Sequence, residues 1–316
     1  MIETWMQALP HGITLSCRAS GERGRPVLLF LHGFPEGAFV WDALLEHFAL
    51  PEHGGYRCVA PNLRGYERSS APTEVKDYRA KFLVQDVLAL IDSECGSSHG
   101  LAALVAHDWG GAVAWNLANQ HPERLDKLVI LNSPHPGTFL RELQRSPAQQ
   151  AASEYMNMLI QPDAQALLSA DDFALLMAFL TARTGATDTA PTTAKPAAQT
   201  HWLDDSAKAN YRQLWRHGLE GGLNYYRASP LRPPRAADPA ATKVSLPLEA
   251  LRIERPTLVI WGQQDHALLP SLTEGLEDYI ADLTLVPLPQ ASHWVVHEAP
   301  ERVVQEISVF LARDAA

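Results

Sequence analysis

Short apolar runs, each closed by small or polar residues, mark out the early part of the chain. They are Pro26-Val-Leu-Leu-Phe-Leu31, Arg57-Cys-Val-Ala60, Leu101 to Ala106 and Leu128 to Leu131. Continuous runs of this length read as strands of a parallel sheet buried on both faces. Between them, Phe82, Val84, Val87, Leu88 and Ile91 fall at helical spacing, which predicts a helix over Tyr78 to Ser93. Thr4 to Arg18 reads as a hairpin turning at His11-Gly12. The alternation then stops. Residues 137–250 are helical in pattern and offer no clear strand, and two Pro/Thr/Ala-rich stretches, Thr181 to Thr200 and Ser229 to Pro247, read as loops or linkers. It resumes with a strand at Thr257 to Trp261, a helix at Leu272 to Ile280, a strand at Leu283 to Pro287 and a last helix at Pro300 to Ala312. The expected architecture is α/β. A mostly parallel sheet flanked by helices is formed by residues 1–136 and 251–316, with a helical cap, residues 137–250, inserted between two strands.

Composition narrows the setting. At 316 residues the chain is long enough for one large core with an insertion. Hydrophobic content of 46% and charged content of 20% fit a soluble globular protein. The formal net charge of −10 argues against nucleic acid or an anionic membrane as partner. Cys17, Cys58 and Cys95 are odd in number and widely spaced, so they predict neither a disulfide framework nor a zinc site. Met1-Ile-Glu-Thr-Trp-Met-Gln lacks the basic and apolar regions of a signal peptide, and no apolar run approaches 18 residues. A cytoplasmic protein is expected; oligomeric state is not legible.

The chemistry concentrates at Leu101-Ala-Ala-Leu-Val-Ala-His-Asp-Trp-Gly-Gly-Ala112. An apolar run breaks into a small-residue turn and continues as a helical segment. That is the context that lifts a nucleophile above the C-terminal edge of a sheet. The raised residue is Asp108, not serine. Serine attack on an sp³ carbon would leave a stable ether, whereas an aspartate forms an ester that water can cleave. Asp108 therefore points to epoxides or alkyl halides rather than ordinary esters. Its bland alternative is a helix N-cap, which leaves Trp109-Gly110-Gly111 unexplained. A literal nucleophile motif, Gly96-Ser-Ser-His-Gly100, precedes the strand instead of following it, so Ser98 is expected to be a decoy. The loop His32-Gly-Phe-Pro-Glu36 follows another strand. Its Phe34 main-chain N–H, with that of Trp109, is a candidate oxyanion donor. His32 is expected to hold the loop.

His32-Gly-Phe-Pro, His107-Asp-Trp-Gly-Gly and Arg64-Gly-Tyr66 resemble the α/β-hydrolase-fold epoxide hydrolases, over almost the whole chain. Glu67 departs from the glycine often found there. The resemblance implies the order nucleophile, acid, base. Asp265, ending Thr257-Leu-Val-Ile-Trp-Gly-Gln-Gln-Asp265, is the candidate acid, and its alternative is a solvated loop residue. His293, in Ser-His-Trp294, matches the family's histidine position. His266 is too close to Asp265 in sequence to be the base, and His297 is expected to be a first-turn surface residue. Two insert tyrosines match the family's epoxide-oxygen donors: Tyr155, seven residues before Pro162, and Tyr226 in Leu223-Asn-Tyr-Tyr-Arg227, with Tyr225 beside it as the register rival. A phenol stays protonated at neutral pH and can donate to a developing alkoxide.

The implied reaction is epoxide hydrolysis through an Asp108 ester cleaved by water that His293 activates, with no metal or organic cofactor and a small epoxide as substrate. The alternative is a haloalkane or haloacid dehalogenase with the same triad. Haloalkane dehalogenases often place an asparagine where Phe34 stands, and fluoroacetate dehalogenases place an arginine where Trp109 stands. A hydrolase fold that only binds a ligand is a third class, disfavoured by the complete set of groups.

Overall fold

The computed structural model describes residues 1–181 and 202–313. Eight strands form one sheet: β1 (Glu3–Ala8), β2 (Thr14–Ser20), β3 (Val27–Leu31), β4 (Arg57–Pro61), β5 (Ala103–His107), β6 (Leu128–Leu131), β7 (Thr257–Gly262) and β8 (Leu283–Leu288). Their order is β1-β2-β4-β3-β5-β6-β7-β8. β1, β2 and β4 pair antiparallel, and all pairs from β4–β3 to β7–β8 are parallel. The strands with continuous apolar runs are the central ones. Every residue of β3, β5 and β6 is buried, while edge strands β1 and β8 expose alternate positions. Each such buried aliphatic contributes about 1.5–3 kcal/mol relative to exposure.

The helices around the sheet are α1 (Asp42–Ala49), α2 (Ala80–Cys95), α3 (Asp108–Gln120), α10 (Val295–Glu298) and α11 (Pro300–Leu311). α11 shows why the last helix was legible. Pro300 occupies its first turn, where a missing N–H costs nothing, and Val303, Ile307 and Phe310 bury one stripe. Between β6 and β7 the described chain is helical: α4 (Pro136–Arg145), α5 (Pro147–Ala152), α6 (Tyr155–Leu159), α7 (Ala164–Thr181), α8 (Asp205–Trp215) and α9 (Glu220–Ala228). α7 has the length and hydropathy of a membrane span, but non-helical backbone at Ala170–Phe173 breaks it.

The sequence patterns need four adjustments. The helix expected at Leu272 to Ile280 is two 3₁₀ turns, Pro270–Thr273 and Leu276–Asp278, separated by Gly275 at φ 75°. The strand expected from Leu101 starts at Ala103, and α2 starts two residues after Tyr78. Helices α1 and α10 had no counterpart in the periodicity. The loop placed at Thr181 to Thr200 lies, beyond Thr181, outside the described residues; Ser229 to Pro247 is irregular apart from a 3₁₀ turn at Ala240–Lys243.

Candidate functional site

The C-terminal ends of five parallel strands converge on one edge of the sheet, and each delivers one side chain or amide. β3 leads to Phe34, β5 to Asp108, β6 to Asn132, β7 to Asp265 and β8 to His293. In open α/β sheets this edge is where ligands bind. The chain builds β3, then β4 on one side and β5 on the other, so the Phe34 and Asp108 loops face each other across the point of reversal.

Asp108 has a positive φ of 48°, a conformation non-glycine residues rarely hold without support. The support is visible. The Ser133 hydroxyl donates to the Asp108 carbonyl at 2.6 Å. Gly110 lets α3 press against β3: a Cβ there would come within 2.4 Å of the Leu31 carbonyl oxygen. Gly33 likewise clears the space that Asp108 fills, since a Cβ on it would lie 2.3 Å from Asp108 Oδ1. The Phe34 N–H donates to that same oxygen at 2.8 Å. Trp109 makes no such main-chain bond, although its N–H belongs to the unpaired first turn of α3, which favours negative charge.

Asp265 is fully buried and has every lone-pair direction occupied. The Ala267 and Leu268 N–H groups donate to Oδ1, each at 2.9 Å. On Oδ2, His293 Nδ1 stands at 2.7 Å and Asn132 Nδ2–H donates at 2.8 Å. Burial alone would raise its pKa, but His293 and these donors outweigh it and hold the carboxyl below its usual value. For His293, burial disfavours the charged ring, yet Asp265 first, then Asp108 and Glu36, overcome this and raise it to about 9. Its Nε2 faces Asp108 Oδ2 at 3.7 Å. With Nδ1–H committed to Asp265, the Nε2 lone pair of the neutral ring is directed at Asp108, as a base for water attacking that carboxyl carbon would need.

Across the site stand two tyrosines from the insert. Tyr226 packs edge-on against Phe34 at 5.4 Å and Trp109 at 5.0 Å, and Tyr155 lies 6.2 Å from Tyr226, centroid to centroid. Burial first, then the nearby Asp108 carboxylate for Tyr155 and Tyr155 itself for Tyr226, push both phenols upward, so both remain O–H donors. The register rival is separated cleanly: the Tyr225 hydroxyl donates to the Arg64 carbonyl at 2.9 Å, away from Asp108. Asp108, Trp109, Tyr155 and Tyr226 open into a cavity of about 1060 Å³ whose walls include Leu83, Phe139, Met156, Leu231 and Leu268.

The rejected residues behave as expected, with one exception. Ser98 is exposed at the opposite end of β5, where its hydroxyl meets His99 Nδ1 at 3.1 Å. His266 is exposed. His32 is buried, accepts from the Leu63 N–H at 3.0 Å and contacts the Gly33 carbonyl at 2.9 Å; burial lowers its pKa to about 4. The exception is His297, which turns inward from the first turn to meet Glu36 Oε1 at 2.7 Å and stacks on Trp202 at 4.2 Å. One site residue had escaped notice. Asn132, at φ 37°, bridges Asp265 and the Gly262 N–H, which donates to its Oδ1 at 2.8 Å. Its signal was present: an amide residue tolerant of positive φ directly after a buried strand. Among the described residues no group of three His, Cys, Asp or Glu side chains is placed to hold a metal ion.

Comparison with known proteins concerns the chain as a whole. A family model described as alpha/beta hydrolase fold matches residues 26–300. Epoxide hydrolase 3 of Xenopus tropicalis is 32% identical over 96% of this chain and 76% of its own length. The crystal structure of a Bacillus megaterium epoxide hydrolase in complex with an inhibitor superposes with a TM-score of 0.83 at 29% identity, covering 98% of this chain and 100% of that one. An epoxide hydrolase structure from metagenomes of hot environments gives 0.80 at 36% identity, with 99% of each chain covered.

Proposed function

The chain belongs to the epoxide hydrolase family of the α/β-hydrolase fold, and we propose that it converts an epoxide to a vicinal diol through an ester on Asp108. In the first step an Asp108 oxygen attacks an epoxide carbon from the back. The C–O bond breaks, and Tyr155 and Tyr226 donate to the departing oxygen, one of them passing its proton. In the second step His293, oriented by Asp265, takes a proton from water as that water attacks the Asp108 carboxyl carbon. The Phe34 N–H, already on Oδ1, stabilises the oxyanion with the Trp109 N–H. Collapse expels the diol oxygen, which takes the proton held by His293. The proton left on the Asp108 carboxyl returns through solvent to the tyrosinate, restoring carboxylate, neutral imidazole and phenol. Residues 137–250 act as the cap that carries the two tyrosines over the core. The three cysteines are free, which suits our reading of a cytoplasmic enzyme.

The observation that carries this reading is the pair of tyrosines, Tyr155 and Tyr226, that line one cavity with Asp108. A halide leaving group calls for N–H donors; here Phe34 has none on its side chain and Trp109 supplies a single indole. The test is a panel of styrene oxide, a long-chain epoxide, a bromoalkane and fluoroacetate. Diol should form from at least one epoxide and disappear in Asp108→Ala, while Ser98→Ala retains it. Halide release without diol formation would transfer the chain to the dehalogenase reading.

A further inference from the structure

Behind the base lies a second buried carboxylate that the reaction above leaves unused. Glu36 is fully buried in the loop that supplies Phe34, and its Oε1 is met by two groups from different elements that stand 3.2 Å from each other. The Tyr211 hydroxyl, on α8 of the insert, donates at 2.6 Å, and His297 Nε2, on α10 of the core, stands at 2.7 Å. Its Oε2 lies 3.2 Å from His107 Nδ1, and His107 Nε2 reaches the His293 carbonyl at 3.0 Å. Polar contacts therefore run from the insert to the backbone of the base, with hydrogen bonds at every link except Glu36–His107, where Oε2 and Nδ1 are within ion-pair distance but lack hydrogen-bond geometry. We propose that Tyr211 and His297 are positioning residues for the hydrolytic step: they fix Glu36 and, through His107, the placement of His293, so that seating α8 on the core sets the base. This rests on the ester mechanism proposed above.

A purely mechanical clasp would not need a charge. A buried carboxylate is costly unless fully paired, and apolar packing holds two surfaces together as well or better. The mechanical part is present besides: Trp215, also on α8, donates its indole N–H to the Pro35 carbonyl at 2.6 Å, and Tyr211 packs against Phe39 at 5.1 Å. Burial opposes the charge on Glu36, but His297 and His107 outweigh it and hold the carboxyl well below its usual pKa. The titratable groups around it are His107, His297, Tyr211 and His32, the last lowered to about 4. Burial, then Glu36, raise the Tyr211 phenol far above its usual value, so it serves only as a donor. The negative charge reaches the base: Glu36 is among the groups that raise His293, whose ring centroid is 4.7 Å from that of His107.

The experiment measures ester formation and ester hydrolysis separately, by quenched-flow mass spectrometry of the enzyme with styrene oxide. Tyr211→Phe keeps the ring and removes only the hydroxyl. Hydrolysis should slow by about tenfold, the scale of one hydrogen bond to a charged group, while ester formation stays within about twofold. His297→Leu should reproduce the defect, and His297→Gln, which keeps an N–H donor, should largely reverse it. The two His297 variants keep the test decisive even if Tyr211→Phe folds poorly. Equal slowing of both steps, no slowing, or a Gln variant as slow as the Leu variant would overturn the proposal. His293→Gln is the control for the mechanism itself. If it accumulates no ester, the ester mechanism falls and takes the proposal with it; if it does, a missing step-selective defect counts against Tyr211 and His297 alone.

Discussion

At the scale of single residues, the site is a set of opposed pKa tendencies. Asp265 is held ionised by its donors, the two phenols are held neutral by burial, and His293 is drawn up to about 9 by the carboxylates around it. In the proposed mechanism His293 acts only when neutral, so the hydrolytic step should rise with pH through the His293 pKa. That pKa is not fixed through the cycle. Esterification removes the charge of Asp108, one of the groups that raise the ring, so the imidazole of the intermediate should titrate below its value in the free enzyme. We expect the acid limb of single-turnover hydrolysis to have a midpoint lower than the His293 titration followed by NMR in the free protein. Coincident midpoints would mean that the Asp108 carboxylate exerts no field on the base despite its 3.7 Å separation.

At the scale of elements, the ends of strands matter more than the strands. The turn after β6 is the clearest case. Asn132 occupies the left-handed region and links β7, through the Gly262 N–H, to the acid Asp265. Asn132→Ala would leave a buried amide donor and a buried carboxylate oxygen short of a partner, a loss of about 1–3 kcal/mol. A lower urea midpoint should accompany slower ester hydrolysis, and rotation of Asp265 should be detectable as a changed His293 titration. If only the urea midpoint moves, Asn132 is a scaffold residue and nothing more. The same elements explain what could be read in advance. Asp108 stood out because an apolar run, a turn and a helix are consecutive in the chain. Asp265 and His293 follow strands and match the family's order. Asn132 goes unread in the sequence, and His297 is read there as a surface residue, for a different reason. Their partners, Asp265 and Glu36, lie 133 and 261 positions away, and hydrophobic periodicity carries no information about such pairs. The false helix at Leu272 to Ile280 has a local cause: its apolar spacing was right, but Gly275 interrupts it.

At the scale of the whole molecule, the two halves of the proposed reaction would draw on different parts of the chain. The core supplies Asp108, Asp265, His293 and the Phe34 N–H; the insert supplies Tyr155 and Tyr226. Each single phenylalanine substitution of these tyrosines should slow ring opening, by roughly 10²–10³ as for other preorganised donors, and the double substitution should nearly abolish it. Hydrolysis of an ester already formed needs neither phenol. The core half should also be visible in the fate of oxygen. Run in ¹⁸O-water with enzyme in excess, the first diol should be mostly unlabelled, because one oxygen comes from the epoxide and the other from the Asp108 carboxylate. Water attacks the carboxyl carbon, so its label should stay on the peptide containing Asp108 and reach the diol only in later turnovers. A first diol carrying one ¹⁸O in nearly every molecule would instead mean that water attacks the epoxide directly. Asp108 would then be a base, and the strained turn that presents it would serve to position water rather than a nucleophile.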